Sequence, residues 1–313
     1  MALSIDEANT VSSKFYDEGI TQQVYEKSPV FYKLKKKGKV TKGGTQIQWA
    51  VRYTTLGNAN AVGAREQIPY IQKETRTAAV LDWKYYVSTT SIQWDERVKN
   101  SGKPQIVDLL KDKAEELRED MFNKFQTDLY STSQASKSFS SLWTIIDSAD
   151  TYAGIAVADA SVWAANEDGT TTRLTLYGDQ SLSEMINASA FGSDGVDFMF
   201  TTRDLFSKFE SLLEPQKRYE DTEMANGGFT TLKFHGIPVV SDYACTSGYW
   251  GGIDTDYFEF RTHPDFDFKV DPWKELGQAG YPQAMYKSVF WTGNLVCKSR
   301  QTCFKYTALD FTL

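Results

Sequence analysis

Apolar and polar residues alternate with a period of two from Gln46 onward: Ile47, Trp49, Val51 and Tyr53 interleave with Gln46, Gln48 and Arg52. That is the signature of a half-buried strand. The alternation returns at Leu81, Trp83, Tyr85 and Val87 against Asp82, Lys84 and Tyr86. The two runs predict the arms of one long β-hairpin over 43–87. Between them, the stretch 54–79 scatters Gly, Asn and Ala among a dense set of charges: Arg65, Glu66, Lys73, Glu74 and Arg76. A connection of that length inside a compact domain is usually functional or disordered. An isolated two-stranded ribbon is marginal in water. Its apolar face, bearing Trp49 and Trp83, therefore needs a second surface, either its own body or a neighbouring copy.

Upstream, residues 1–40 read as an arm. Val24, Tyr25, Val30, Phe31, Tyr32 and Leu34 supply apolar contacts, and Pro29 is expected to break a helix there. A basic run follows, Lys33, Lys35, Lys36, Lys37 and Lys39, with Lys42 close behind. It suits contact with DNA, contact with acidic neighbours, or a solvated turn into the hairpin. After the hairpin, Ser101-Gly102-Lys103-Pro104 ends the strand and offers a helix start. The period then changes. Ile106, Leu110, Ala114, Leu117, Met121, Phe125 and Leu129 fall three or four apart, which predicts a helix over 104–132, roughly 43 Å long. Lys111, Glu115, Glu116, Arg118, Glu119 and Lys124 occupy its other face. A one-striped helix of this length needs a sheet or strand pair to lie on.

The Ser-rich stretch 131–141 reads as a linker into a second region that opens with Leu142, Trp143, Ile145 and Ile146. There the pattern predicts a strand over 197–201, a helix over 203–213 ended by Pro215, a turn at Asn226-Gly227-Gly228, and an alternating or apolar run over 231–240. Near the C-terminus, 285–291 and 295–298 flank Gly293-Asn294, which reads as a hairpin. The expected class is α+β, and 313 residues suggest about two domains or one elaborate one.

Composition adds bounds. Apolar residues make up 41% of the chain and aromatics 14%, enough for a core and for large interfaces. The net charge of −7 argues against general nucleic-acid binding, which needs surplus Lys and Arg; a protein that encloses DNA without gripping it can carry this balance, and so can ordinary solubility. Three cysteines, Cys245, Cys297 and Cys303, with no CxxC pair, indicate neither a zinc site nor a disulfide scaffold. Cys297 and Cys303 flank the apparent C-terminal hairpin and can approach each other, or serve simply as core thiols. The start of the chain has no basic-then-apolar leader pattern, and no apolar run reaches membrane-spanning length. Only two histidines occur. His263 with Asp265 and Asp267 falls short of a convincing metal cluster, and His235 beside Gly236 reads as a turn. GxSxG, HExxH, GxxxxGK[ST] and GxGxxG are all absent. No catalytic residue, cofactor or metal is expected, and a structural or assembly role follows more naturally than an enzyme.

The order of parts (arm, long hairpin, long helix, α/β region, closing strands) resembles the major capsid proteins of tailed phages, the Hong Kong 97 fold. Several phrases carry the resemblance: Leu142-Trp143-Thr144-Ile145-Ile146 followed by Tyr152-Ala153-Gly154-Ile155 and Trp163; Thr202-Arg203-Asp204-Leu205-Phe206; and Phe234-His235-Gly236-Ile237-Pro238-Val239-Val240. The late segments from Phe258 to Phe268 and from Trp291 to Cys297 add to it. The resemblance implies an arm over 1–40, an extended loop over 41–97, a peripheral domain over 98–139 and about 241–313, and an axial domain over about 140–240. It implies hexamers and pentamers of this chain in an icosahedral shell around double-stranded DNA, with no sequence-specific DNA contact and no membrane. Portal and decoration proteins would be further partners, and the virion, assembled in host cytoplasm, the location. Trp49, Trp83, Arg65, Glu66, Lys73, Glu74 and Arg76 would meet neighbouring subunits, and Lys35, Lys36 and Lys37 would form the basic arm. Relatives often begin with a cleaved scaffolding segment. Here Met1 leads almost directly into the arm, so a separate scaffolding protein is expected. Lys73 and Lys84 lie in the ribbon, but no matching acceptor for a Lys–Asn crosslink is identifiable.

Two other readings stand beside this one. An encapsulin-like compartment would share the fold and enclose protein cargo instead of DNA. A glycan-binding β-rich protein would use the tryptophans and acids as a monomer, although no paired-carboxylate signature supports it.

Overall fold

The structure, a computed structural model, describes residues 28–41, 43–67, 72–99, 103–213, 231–275, 284–310 and 312. The Asn226-Gly227-Gly228 turn and most of the expected arm lie outside them. The first described element is helix α1 (Pro29–Lys36). Pro29 begins this helix instead of breaking it, because the first helical position needs no N–H donor. Val30, Phe31 and Leu34 are fully buried, so this segment is part of the core.

The ribbon is made by β2 (Gln46–Arg52) and β3 (Arg76–Asp82), paired antiparallel from Gln46↔Asp82 to Arg52↔Arg76. The return arm therefore lies earlier than the alternation suggested. Residues from Lys84 onward form β4 (Lys84–Ile92), which leaves the ribbon and pairs with β13 (Met285–Cys297). The period of two runs unbroken through Trp83, so the pattern could not show that the chain changes sheets there.

Strand β13 is the axis of a six-stranded sheet that also holds β1 (Lys39–Val40), β4, β10 (Phe258–Thr262), β11 (Lys269–Val270) and β12 (Lys274–Glu275). It runs 13 residues without a turn, which corrects the hairpin expected at Gly293-Asn294. A Cβ on Gly293 would stand 2.6 Å from the Arg261 carbonyl oxygen and 2.7 Å from the Trp291 indole. This glycine permits close backbone approach and does not bend the chain. Asn294 is fully buried; its Oδ1 accepts from Ser140 N at 2.9 Å and its Nδ2 donates to the Asp82 carbonyl at 2.9 Å.

After the short α2 (Trp94–Lys99), the long helix appears as expected: α3 (Lys103–Leu129) spans 27 residues. Leu117, Met121, Phe125 and Leu129 are buried. Along β4, Ser88 Oγ donates to Asp120 at 2.8 Å and the Tyr86 hydroxyl to Asp128 at 2.6 Å. Phe125 and Trp291 meet edge to face at 4.8 Å.

A second six-stranded sheet follows the order β5 (Asn166–Asp168), β14 (Phe304–Tyr306), β9 (Trp250–Ile253), β6 (Phe198–Thr201), β8 (Ile237–Ser241), β7 (Thr231–Phe234). The expected strand and helix are there as β6 and, packed beside it, α6 (Arg203–Leu212), which buries Leu205, Phe206 and Phe209. Two shorter helices, α4 (Leu142–Ile145) and α5 (Leu182–Ala188), complete the region. His235 and Gly236, at φ +52° and +82°, make the tight turn between β7 and β8. The sheets are joined where β13 ends and β14 begins. In that crossover Arg300 is fully buried and donates to the carbonyls of Ile145 at 2.6 Å, Asp147 at 2.6 Å and Asp150 at 2.9 Å.

Candidate assembly surface

The ribbon projects from the edge of the first sheet, and its base and tip differ sharply. On the base, Ile47, Trp49 and Val51 share a face with their cross-strand partners Leu81, Ala79 and Thr77. Ile47, Val51 and Ala79 are buried, and Trp49, Tyr53 and Leu81 pack on the same core. Trp49 is covered by its own chain: its ring meets Tyr152 at 6.4 Å, and the Arg261 guanidinium lies over it at 5.6 Å. Both ribbon edges are pinned. Val80 N donates to the Ala153 carbonyl at 2.9 Å, and Arg261 Nη1 donates to the Gln48 carbonyl at 3.3 Å. Of the two surfaces open to the apolar face, the body takes the base.

Among the described residues, the tip has no such cover. Leu56 and Val62 are 46% and 47% exposed. Arg65, Glu66, Lys73, Glu74 and Arg76 are all solvent-facing. Their described contacts are local: Glu66 Oε2 accepts from Gly63 N at 2.8 Å, and Lys73 Nζ donates to Thr54 Oγ1 at 3.1 Å. The Tyr53 hydroxyl donates to the Glu74 carbonyl at 3.1 Å and closes the last rung before the chain opens.

Trp83 sits at the hinge between ribbon and sheet. Its indole N–H donates to the Gly44 carbonyl at 3.0 Å, and its ring meets His263 edge-on at 6.1 Å. It forms one wall of a groove of about 500 Å³ whose other walls include Tyr85, Val87, Phe266 and Phe290. Tyr85 is 74% exposed and Val87 58%. Tyr85 pairs with Thr292 and Val87 with Phe290 across the strands, so these residues form the face of the sheet turned away from α3. Sequence reasoning missed this face. Its signal was present, since Tyr85 and Val87 alternate with the buried Tyr86 and Ser88.

Of the basic run, the side chains of Lys35 and Lys36 lie outside the described residues. Lys37 pairs with Asp256, and that hydrogen bond raises its ammonium above the ordinary lysine range. The acceptor belongs to an acidic turn that sequence reasoning also missed. Asp197 accepts from Thr255 N at 2.8 Å, and Asp194 accepts from the Tyr257 hydroxyl at 2.5 Å. Burial pushes the Asp254 carboxyl up to about 6, with the charges of Asp197, Asp256 and Asp194 adding to it. His263 accepts from Asp265 N at 3.2 Å and caps a short turn. Among the described residues, no group of three or more His, Cys, Asp or Glu side chains converges as a metal site requires.

No protein-family model matches the chain, and no curated protein matches it in sequence. By fold the likeness is extensive. A chain of the cyanophage A-1(L) capsid asymmetric unit superposes with a TM-score of 0.65 at 16% identity, covering 91% of this chain and 93% of that one. A capsid chain of the native GTA particle gives 0.58 at 8% identity over 89% and 90%. A chain from the satellite phage P4 procapsid, a particle that includes the size determination (Sid) protein, gives 0.50 at 10% identity over 94% and 90%. The fold is that of phage capsid chains, the Hong Kong 97 type, matched over about nine-tenths of the chain.

Proposed function

We propose that this chain is a major capsid protein that assembles into the icosahedral head shell of a tailed phage around double-stranded DNA. The observation that carries the reading is the extended ribbon: its base is fixed to its own body, while the described residues of its apolar and charged tip, Leu56 and Val62 among them, stand exposed. A neighbouring copy supplies the missing cover. Burying a few hundred Å² of apolar surface yields several kcal/mol per contact at ~25 cal/mol per Å², of which association entropy removes part. Around a closed ring of heterologous contacts every tip finds a neighbour. Arg65, Glu66, Lys73, Glu74 and Arg76 set register more than strength.

On this reading β2, β3 and the segment between them are the extended loop, α3 with the sheet around β13 the peripheral domain, and the sheet of β5 to β9 and β14 the axial domain. The chain forms hexamers and pentamers, its role is structural and not enzymatic, and a separate scaffolding protein directs assembly. Portal and decoration proteins complete the particle. The net charge of −7 suits a wall that encloses DNA without binding it tightly.

Sedimentation and negative-stain imaging of the full chain, expressed with and without its candidate scaffold, test the proposal. Closed shells or capsomer rings are the expected result. A protein that stays monomeric at high concentration in both preparations overturns it.

A further inference from the structure

The crossover between the two sheets holds two of the chain's three cysteines. Cys297 is the last residue of β13 and Cys303 immediately precedes β14. Both are free thiols with no solvent exposure. Their sulfurs converge on one acceptor, the Ser299 carbonyl oxygen, at 3.1 Å from Cys297 Sγ and 3.8 Å from Cys303 Sγ. The segment between them is rigid, because Arg300 is fixed by three carbonyls and Cys303 N donates back to the Arg300 carbonyl at 3.1 Å.

We propose that Cys297 and Cys303 are a modification site, joined by an intrachain disulfide when the protein meets a hydroperoxide, and that the bond locks the joint between the two sheets. The chemistry balances without a cofactor. One thiolate attacks a peroxide oxygen, the O–O bond breaks, and the departing hydroxide takes a proton to leave as water. The sulfenic acid so formed is then attacked by the second sulfur. An S–S bond replaces the S–OH bond and a second water leaves. Two sulfurs lose two electrons in all, and the peroxide gains them. A peroxide of water-like size suits a site closed to larger disulfide reagents. Burial pushes the Cys297 thiol well above its ordinary range, and the neighbouring Cys303 adds to this. Thiolate is therefore scarce at neutral pH, and the reaction is slow there and accelerates as pH rises.

The test treats the purified full chain with hydrogen peroxide, unfolds it, alkylates free thiols and maps the products by mass spectrometry. Lys298 and Arg300 let trypsin separate the two cysteines, so the disulfide appears as two linked peptides, lighter by two hydrogens. Cys245, whose thiol faces the Thr246 carbonyl at 3.9 Å, is the internal control and should remain alkylated. Alkylation of all three cysteines, or sulfinic acid at 297 and 303 without a link, overturns the proposal. Urea unfolding supplies the second readout. Closing so short a loop lowers the unfolding constant by about fifty-fold on the chain-entropy model. That shift should separate oxidised from reduced wild type and vanish in the C297S/C303S double variant. An oxidised wild type that unfolds as readily as the reduced protein refutes the lock.

Discussion

The Tyr86 hydroxyl donates to Asp128 Oδ2 at 2.6 Å and accepts from Phe139 N at 3.0 Å. One side chain thus joins β4, the end of the long helix and the segment that leads into the second region. Burial and the Asp128 hydrogen bond hold the phenol well above its ordinary range, so it stays a neutral donor. Tyr86→Phe leaves the shape of the core unchanged but strips the Phe139 amide of its acceptor and Asp128 of a donor. Lys124 still reaches Asp128 at 2.8 Å. The expected cost is about 1–3 kcal/mol, read as a lower urea midpoint with an unchanged slope.

Gly293 separates two interpretations of one sequence signal. A glycine serving a turn tolerates Asn or Asp, whereas a glycine serving close approach tolerates no Cβ. Gly293→Ala should destabilise the fold by about 2 kcal/mol or more, because the clash is with the Arg261 carbonyl and a buried indole at 2.6 and 2.7 Å. Gly63→Ala, in the ribbon tip, meets only the flexible Glu66 side chain at 3.7 Å and should change the thermal midpoint little. Equal effects at both positions would return Gly293 to the turn reading.

These two residues show what the chain makes legible. The stripe of α3, the alternation of β2 and the turn at His235-Gly236 are local patterns that dictate local structure, and they could be read directly. Gly293-Asn294 looks like a turn because the residues that decide it, Arg261 and Asp82, are distant in sequence. Pro29 carries either meaning depending on where a helix starts, and only the burial of Val30 and Phe31 decides it. The candidate surface was half legible. The exposed tip follows from its charges, but coverage of Trp49 depends on Tyr152, about a hundred residues away, and on Arg261 of β10, about two hundred away.

Asp254 gives stability a pH dependence whose sign can be fixed. Its carboxyl rises from an ordinary 3.8 to about 6 in the folded protein, so between those values the folded state binds the extra proton. The contribution is fully present below pH 4 and is lost as pH rises through about 6. The groups facing it are Asp194, Asp197, Asp256, Tyr257 and Lys37. Asp254→Asn keeps an acceptor for Asp256 N and removes the charge. Relative to wild type, the variant should gain about 1–3 kcal/mol at pH 7 over its standing at pH 4. Urea titrations at both pH values check this, and a difference of opposite sign would mean that Lys37 governs the turn instead.

The ribbon permits the sharpest separation of folding from assembly. Its base contributes to the subunit's own core, so Trp49→Ala should lower the stability of the isolated chain by about 2 kcal/mol. The described residues of its tip add nothing to that core, because Leu56 and Val62 are exposed and pairing resumes at Arg76. Replacing residues 54–74 by Asn-Gly joins Tyr53 to Thr75 through a two-residue turn, and their existing rung, Tyr53 N to the Thr75 carbonyl at 3.1 Å, already sets the register. The shortened protein should fold with a thermal midpoint close to wild type and fail to form shells. The milder double change Leu56→Asp with Val62→Asp should do the same without shortening the loop. Calorimetry and sedimentation on the same samples give both readings. Normal shells from the shortened chain would show that the tip is dispensable and that the groove beside Trp83 and Tyr85, not the ribbon, holds neighbours together.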